Sequence, residues 1–333
     1  MKKEYIIPII ISKDDFNKNN ILKTKTDIKQ KIENYLGNFN DDNKFVDIAL
    51  YSENFSEIEK ENQIELLEEI NNNYIKNKKV NSIRILLNPN DINRKYIKIL
   101  KKFNVSTIEL IAPSTNDYIL KKSNYNFNFV DIKKASKLIR FYRLNLGFQM
   151  KVGLFDSTEK DDIKTANDLI ILKPKMVRIS PEFVLKKTDL AKEYAKGEYT
   201  PLTLDQAVQR IKEIIYIFRK NNIDNIKIGL QNSDEDDINY IKEYESKILA
   251  GPFQVNLREL VESEMWYDSI SEKIKNINSK VRKVSLVINE EDYNNVIGTD
   301  KKNIIRIKDI YGIDIIIKTD NSIQNGDFRI VEE

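Results

Sequence analysis

The sequence predicts an α/β fold with a parallel sheet, followed by a small α+β domain. Three observations lead there: apolar runs at consecutive positions, amphipathic helical stretches between them, and a change of pattern after Gly251. Strands that are apolar at consecutive positions, such as Ile6-Ile7-Pro8-Ile9-Ile10-Ile11, suit a sheet covered on both faces. Their regular alternation with helices implies right-handed crossovers. A full or partial parallel barrel and an open doubly wound sheet both satisfy the pattern. In either, function belongs at the C-terminal ends of the strands.

Taken in order, the strand candidates are 5–11, Phe45–Tyr51, Ser82–Leu87, 106–110, 144–152, 176–179 and 225–230. Among the helices, Leu204–Lys220 is the clearest, with Ala207, Ile211, Ile214, Ile215 and Phe218 on one face. Thr203 and Gln206 have the spacing of a capping box at its start, as do Ser56 and Glu59 before Ile64, Leu67 and Ile70. A helix over 131–142 turns Ile132, Ala135, Leu138 and Ile139 inward. Beyond Gly251, residues 256–277 read as helical and carry the sole tryptophan, Trp266. A strand over 283–289 follows, then a helix with Ile304, Ile307 and Ile310, stopped by Gly312 acting as a C-cap, and a final strand over 313–318. The expected domains are a barrel over 1–250, a helical linker over 251–280 and an α+β domain over 281–333.

Composition removes whole classes of chemistry. The 333 residues contain no cysteine and no histidine. Disulfides, Cys/His zinc sites, thiolate nucleophiles and Ser-His-Asp triads are excluded. Metals have only oxygen ligands, and the run Asp234-Glu235-Asp236-Asp237 reads as a solvated loop rather than a cation site. With a net charge of +3, no global polyelectrolyte partner is implied. Residues 1–12 read as a first strand rather than a signal peptide, since the apolar run is short, holds Pro8 and runs into Lys13-Asp14-Asp15. No stretch approaches the ~20 apolar residues of a membrane span. A cytoplasmic protein with no membrane partner is expected.

Several ordered segments resemble the Elongator-type radical S-adenosylmethionine (SAM) protein family. Gln149-Met150-Lys151-Val152-Gly153-Leu154-Phe155-Asp156-Ser157-Thr158 is similar to its Q-M-M-V-G-L-P-G-D-T. Leu172-Lys173-Pro174-Lys175-Met176-Val177-Arg178-Ile179 resembles L-K-P-D-F-V-R-I, and Tyr199-Thr200-Pro201-Leu202-Thr203-Leu204 resembles Y-K-P-L-S-L. Ile228-Gly229-Leu230-Gln231 matches I-G-L-Q, and Arg258-Glu259-Leu260-Val261-Glu262-Ser263 matches R-E-L-V-E-S. The resemblance implies a partial β/α barrel of radical SAM type. It further implies a [4Fe–4S] cluster on a C-x3-C-x2-C loop after the first strand, which cleaves SAM in the service of tRNA uridine modification.

The departures fall on the cofactor loops. Aligned from Ile7-Pro8-Ile9, the three cluster-ligand positions are Phe16, Asn20 and Lys23. None offers the thiolate that cluster binding requires. The family's Y-G-G-S-F, whose bare backbone meets SAM, becomes Tyr51-Ser52-Glu53-Asn54-Phe55, and the added side chains crowd that approach. No cofactor is therefore predicted: no Fe–S cluster, and a SAM site whose glycines are gone. Glu53, Glu109, Gln149, Asp156, Arg178 and Gln231 are the candidate lining of a residual pocket.

The C-terminal segment resembles a KH domain, whose G-x-x-G loop clamps single-stranded nucleic acid and aims a helix N-terminus at phosphates. Here the loop runs from Gly298 to Lys301, with Lys302 and Arg306 following; these four are the RNA-binding candidates. The expected function is a non-catalytic pseudoenzyme that binds RNA, in particular tRNA, or a protein partner such as an active paralogue. The alternative is an enzyme using SAM or another nucleotide without radical chemistry.

Overall fold

A computed structural model of the chain describes residues 4–11, 21–37, 45–51, 55, 58–223, 226–229, 242, 245–277 and 281–333. The chain divides into two compact units. The first comprises residues 1–151, 155–179 and 218–227, and the second 152–154, 180–217 and 228–333.

The first unit is built on β1 (Glu4–Ile10), β2 (Phe45–Tyr51), β3 (Ser82–Leu87), β4 (Val105–Ile111), β5 (Asn145–Val152), β6 (Met176–Pro181) and, after the short β7 (Val184–Leu185), β8 (Ile226–Ile228). These make a seven-stranded sheet in the order β1-β2-β3-β4-β5-β6-β8. Pairing is parallel from β1 through β5. All seven strands match the sequence expectation to within two residues at each end. Sequential order with parallel pairing excludes the doubly wound alternative, which needs the order to reverse at a switch point. In the half-barrel the crossover helices pack apolar stripes on the strands beside them, α1 on β1 and both α3 and α5 on β4. These helices are α1 (Ile21–Gly37), α2 (Lys60–Ile70), α3 (Arg94–Lys102), α4 (Asp117–Lys122), α5 (Phe129–Phe141) and α6 (Glu159–Ile171).

Helix starts follow side-chain capping where the right residue is present. Asn128 caps α5 and Thr158 caps α6 in reciprocal boxes with Asp131 and Asp161. After α7 (Asp189–Ala195), α8 (Leu204–Lys220) opens on the expected box. The Gln206 amide N–H donates to Thr203 Oγ1 at 3.2 Å, and the Thr203 N–H donates to Gln206 Oε1 at 2.9 Å. The expected Ser56–Glu59 box is corrected in part: Ser56 lies outside the described residues, and Glu59 is itself the N-cap of α2, with no side-chain hydrogen bond.

In the second unit, β9 (Ile248–Ala250) pairs antiparallel with β7. Next come α9 (Leu257–Ile274), β10 (Lys283–Ile288), α10 (Tyr293–Ile297), α11 (Lys302–Tyr311), β11 (Asp314–Thr319) and β12 (Phe328–Glu332). The last three strands form a mixed sheet, β11-β10-β12, parallel on one side and antiparallel on the other. The strand over 313–318 is thus not the last, since Phe328–Glu332 adds an antiparallel edge. Gly312 caps α11 in the left-handed region at φ 65°, as expected.

The helix over 256–277 is not a linker. Trp266, Tyr267, Ile270 and Ile274 of α9 share one core with Val284, Leu286, Ile288, Val296, Ile307 and Ile313. An apolar face this long must be buried against something, and the mixed sheet with α11 covers it. The proposed boundaries at 250 and 280 therefore cut through a packed unit.

Candidate functional site

Side chains alternate along a strand, so register decides which of them meet. Ala49 lies opposite Arg84, and Arg84 opposite Thr107. Glu109 lies opposite Gly147, and Ile111 opposite Gln149. Asp47 and Tyr51 of β2, Arg84 of β3, Glu109 of β4, Gln149 of β5 and Arg178 of β6 are thereby brought together on one face of the sheet.

They form a continuous polar network. Glu109 is fully buried. Its Oε1 accepts from the Tyr51 hydroxyl at 3.2 Å and lies 3.8 Å from Arg84 Nη1. Its Oε2 accepts from Gln149 Nε2 at 3.4 Å and lies 3.8 Å from Arg178 Nε. Arg178 Nη2 donates to the Tyr51 hydroxyl at 2.7 Å, with its guanidinium 4.8 Å from the centre of that ring. On the other side, Arg84 Nη2 reaches Asp47 Oδ2 at 3.3 Å, and Ser82 also donates to Asp47. Gly147 makes room: a Cβ there would stand 2.9 Å from both Glu109 Cγ and Met176 Cγ.

Two carboxylates and two guanidiniums thus neutralise one another away from water. Burial, opposed by Arg178 and reinforced by Glu109, pushes the Tyr51 phenol up to about 12. Burial works against the Arg178 charge, yet Tyr51 and Glu109 outweigh it and hold its pKa above the ordinary guanidinium value. Removing one partner of such a set leaves a buried charge uncompensated, at a cost of about 3–5 kcal/mol. The groups that could act as acid, base or anion clamp are directed at each other. The arrangement is a buried polar network closed on itself.

Of the expected pocket residues, Glu109, Gln149 and Arg178 come together. Asp156 does not. It sits at φ 61° in the turn after β5, where it accepts from the Tyr118 hydroxyl at 3.0 Å and lies 3.6 Å from Lys122 Nζ. It stands where the family motif has glycine, and its left-handed backbone gives the reason. Glu53 and Gln231 lie outside the described residues, as do Phe16 and Asn20; Lys23 falls in the first turn of α1. Asp47, Tyr51 and Arg84 were not singled out as site residues from sequence. The signal was there: an Asp or Arg inside an apolar strand requires a buried partner.

A [4Fe–4S] cluster does not fit this chain. Its iron needs thiolate donors, with imidazole the common substitute, and the 333 residues hold neither cysteine nor histidine. Among the described residues, no group of acidic side chains is arranged to hold a metal ion.

At the C-terminal candidates, Gly298 adopts φ 71° and ψ 169°, a region close to glycine-only. A Cβ there would stand 2.8 Å from Ser263 Oγ. Asp300 and Lys301 follow at φ 52° and 61°, so Lys301 keeps a left-handed backbone where the KH loop has its second glycine. Lys301 is exposed. Lys302 and Arg306 instead turn to α9: their nitrogens lie 3.4 Å and 2.7 Å from Glu264 Oε1. The Arg306 guanidinium also lies 3.6 Å from the centre of the Tyr267 ring. Asn303, buried between them, donates to the Ser263 and Val296 carbonyls at 2.9 and 3.1 Å.

Comparison with known proteins agrees with this fold. The radical SAM C-terminal domain family matches residues 174–267. The tRNA uridine(34) acetyltransferases of Methanocaldococcus infernus and Methanocaldococcus jannaschii are 26% and 25% identical to the chain over 126 residues. Each match covers 37% of this chain, and 24% and 23% of the respective relative, so the chain spans about a quarter of those proteins. The solved structure of the archaeal Methanocaldococcus infernus Elp3 superposes with a TM-score of 0.62 at 21% identity, covering 82% of this chain and 64% of that one.

The half-barrel, its sequential parallel order and these matches define a radical-SAM-type α/β protein. Within that class the chain is similar to the two tRNA uridine(34) acetyltransferases and shares its fold with the archaeal Elp3, and it lacks every cysteine.

Proposed function

We propose that this chain is a non-catalytic member of the radical-SAM-like proteins that binds RNA, in particular tRNA. One observation carries the loss of catalysis: the chain contains no donor for the cluster's iron. The inner network supports it, because Glu109, Gln149 and Arg178 spend their polar atoms on Tyr51 and on one another. Three things support RNA: the relatives named for tRNA uridine, the α+β unit that α9 shares with the mixed sheet, and a loop in which Asp300 and Lys301 keep a left-handed backbone despite the strain. The reading places the protein in the cytoplasm. No helix among the described residues is long and apolar enough to cross a membrane. A pairing with an active paralogue is the competing use of the same scaffold.

Filter binding of the full chain to a tRNA transcript over a salt series tests the RNA reading. Phosphate contacts predict a logarithmic affinity that falls linearly with log salt, by roughly 0.7–0.9 per contact. Binding that is absent at low salt overturns it. Anaerobic incubation with iron, sulfide and SAM tests the lost chemistry. The expected outcome is no absorption band at roughly 400 nm and no methionine or 5′-deoxyadenosine; their appearance overturns the pseudoenzyme reading. Calorimetric titration with SAM separates the non-radical enzyme alternative, for which binding is required.

A further inference from the structure

We propose that Glu264 acts as an internal phosphate mimic, occupying the two cations at the start of α11 that an RNA backbone would otherwise engage. The inference rests on the RNA-binding reading above and deepens it. Helix α11 carries Lys302 and Arg306 one turn apart, so both side chains point the same way. A single carboxylate oxygen, Glu264 Oε1, meets Arg306 Nη1 at 2.7 Å and Lys302 Nζ at 3.4 Å. The acid is nearly buried, whereas the lysine and arginine side chains remain 55% and 33% exposed. Solvent, and a ligand arriving through it, therefore reaches part of each cation while the acid stays covered.

Burial works against the Glu264 charge, but Arg306 and Lys302 outweigh it and hold its carboxyl below the ordinary range. The acid's other oxygen is engaged as well: Gln209 Nε2 donates to Oε2 at 3.3 Å. Glu264 is thus positioned from both ends, and Arg306 is stacked on Tyr267. Glu264, Lys302 and Arg306 are not themselves members of the apolar core that holds Val284, Leu286, Val296 and Ile307. The seat can lose its carboxylate and keep its shape. A phosphodiester offers the same charge-assisted acceptor oxygens to the same pair. The wild-type chain then meets RNA with Lys301 exposed and with Lys302 and Arg306 already half satisfied, and its affinity is held down.

The test compares the wild-type chain with Glu264→Gln and Glu264→Ala by filter binding to a tRNA transcript over a salt series. Thermal melts identify which variants are folded, and the second variant serves if the first is not. The expected result is about three- to tenfold tighter binding in the variants, with the log–log salt slope steeper by about 1.4 to 1.8, as two further phosphate contacts require. Adding Lys302→Gln to Glu264→Gln should return the slope towards the wild-type value. If the wild type binds and the variants match it in affinity and slope, this inference falls and the RNA reading stands. If neither the wild type nor the folded variants bind, both fall. Binding by the variants alone supports Glu264 as the block and overturns RNA binding by the wild-type chain.

Discussion

At the scale of single residues, the most informative group is Tyr51. Its hydroxyl accepts from Arg178 and donates to Glu109, and burial raises its pKa to about 12. A phenol whose folded pKa exceeds its unfolded value of about 10 contributes stability that is fully present below pH ~10. That stability is lost as pH rises through the folded value. Tyr51→Phe lacks both the hydrogen bonds and the titration. It should be about 1–2 kcal/mol less stable near pH 8, with a shallower loss of stability above pH ~10 than the wild type. Urea denaturation from pH 8 upward checks this; equal slopes in the two proteins would show that the phenol is not the titrating group. Gln149 and Arg178 were legible in the sequence because they sit in segments resembling a known family, and Glu109 as an acid inside an apolar strand. Tyr51 entered only as part of a loop comparison, and Asp47 and Arg84 not as site residues. Their role follows from partners 37 and 127 positions away in the chain.

At the scale of elements, strands and helices were read closely because their causes are local. Thr203 and Gln206 cap α8 as spacing requires, and Ala207, Ile211, Ile214, Ile215 and Phe218 are all buried. The turn after α10 shows where composition and backbone agree. Gly298 combines a positive φ with Ser263 close by, so no side chain fits without movement. Gly298→Ala should cost about 1–3 kcal/mol and lower the melting temperature of the C-terminal domain, read by Trp266 fluorescence; an unchanged melt would mean the turn relaxes freely. Lys301 adopts a different positive-φ conformation, the left-handed helical region at φ 61° and ψ 25°, at the expense of strain. The R-E-L-V-E-S stretch also acquires an element-level meaning. Glu262 accepts from Asn295 Nδ2 at 3.1 Å, and Ser263 accepts from the buried Asn303. That motif fastens α9 to the turn and helix that share its core.

At the scale of the whole molecule, the second unit is continuous through α9, and the sole tryptophan reports on it. Trp266 lies 5.6 Å, ring centre to ring centre, from Phe328 of the last strand. Truncation after residue 280 would strip the cover from Trp266, Tyr267, Ile270 and Ile274. The shortened chain should show red-shifted tryptophan emission, bind a hydrophobic dye and self-associate. Emission identical to that of the full chain would show that α9 is covered by something else. The sequence by itself determined the alternation of strand and helix, the half-barrel's strand count and the absence of any donor for an iron–sulfur cluster. Each of these is a matter of local period or of composition. Only the tertiary structure decided that the inner charges neutralise one another, that α9 is core rather than linker, and that Glu264 sits on Lys302 and Arg306. Those depend on register and on which face meets which, and contacts between residues far apart in the chain leave no periodic trace along it.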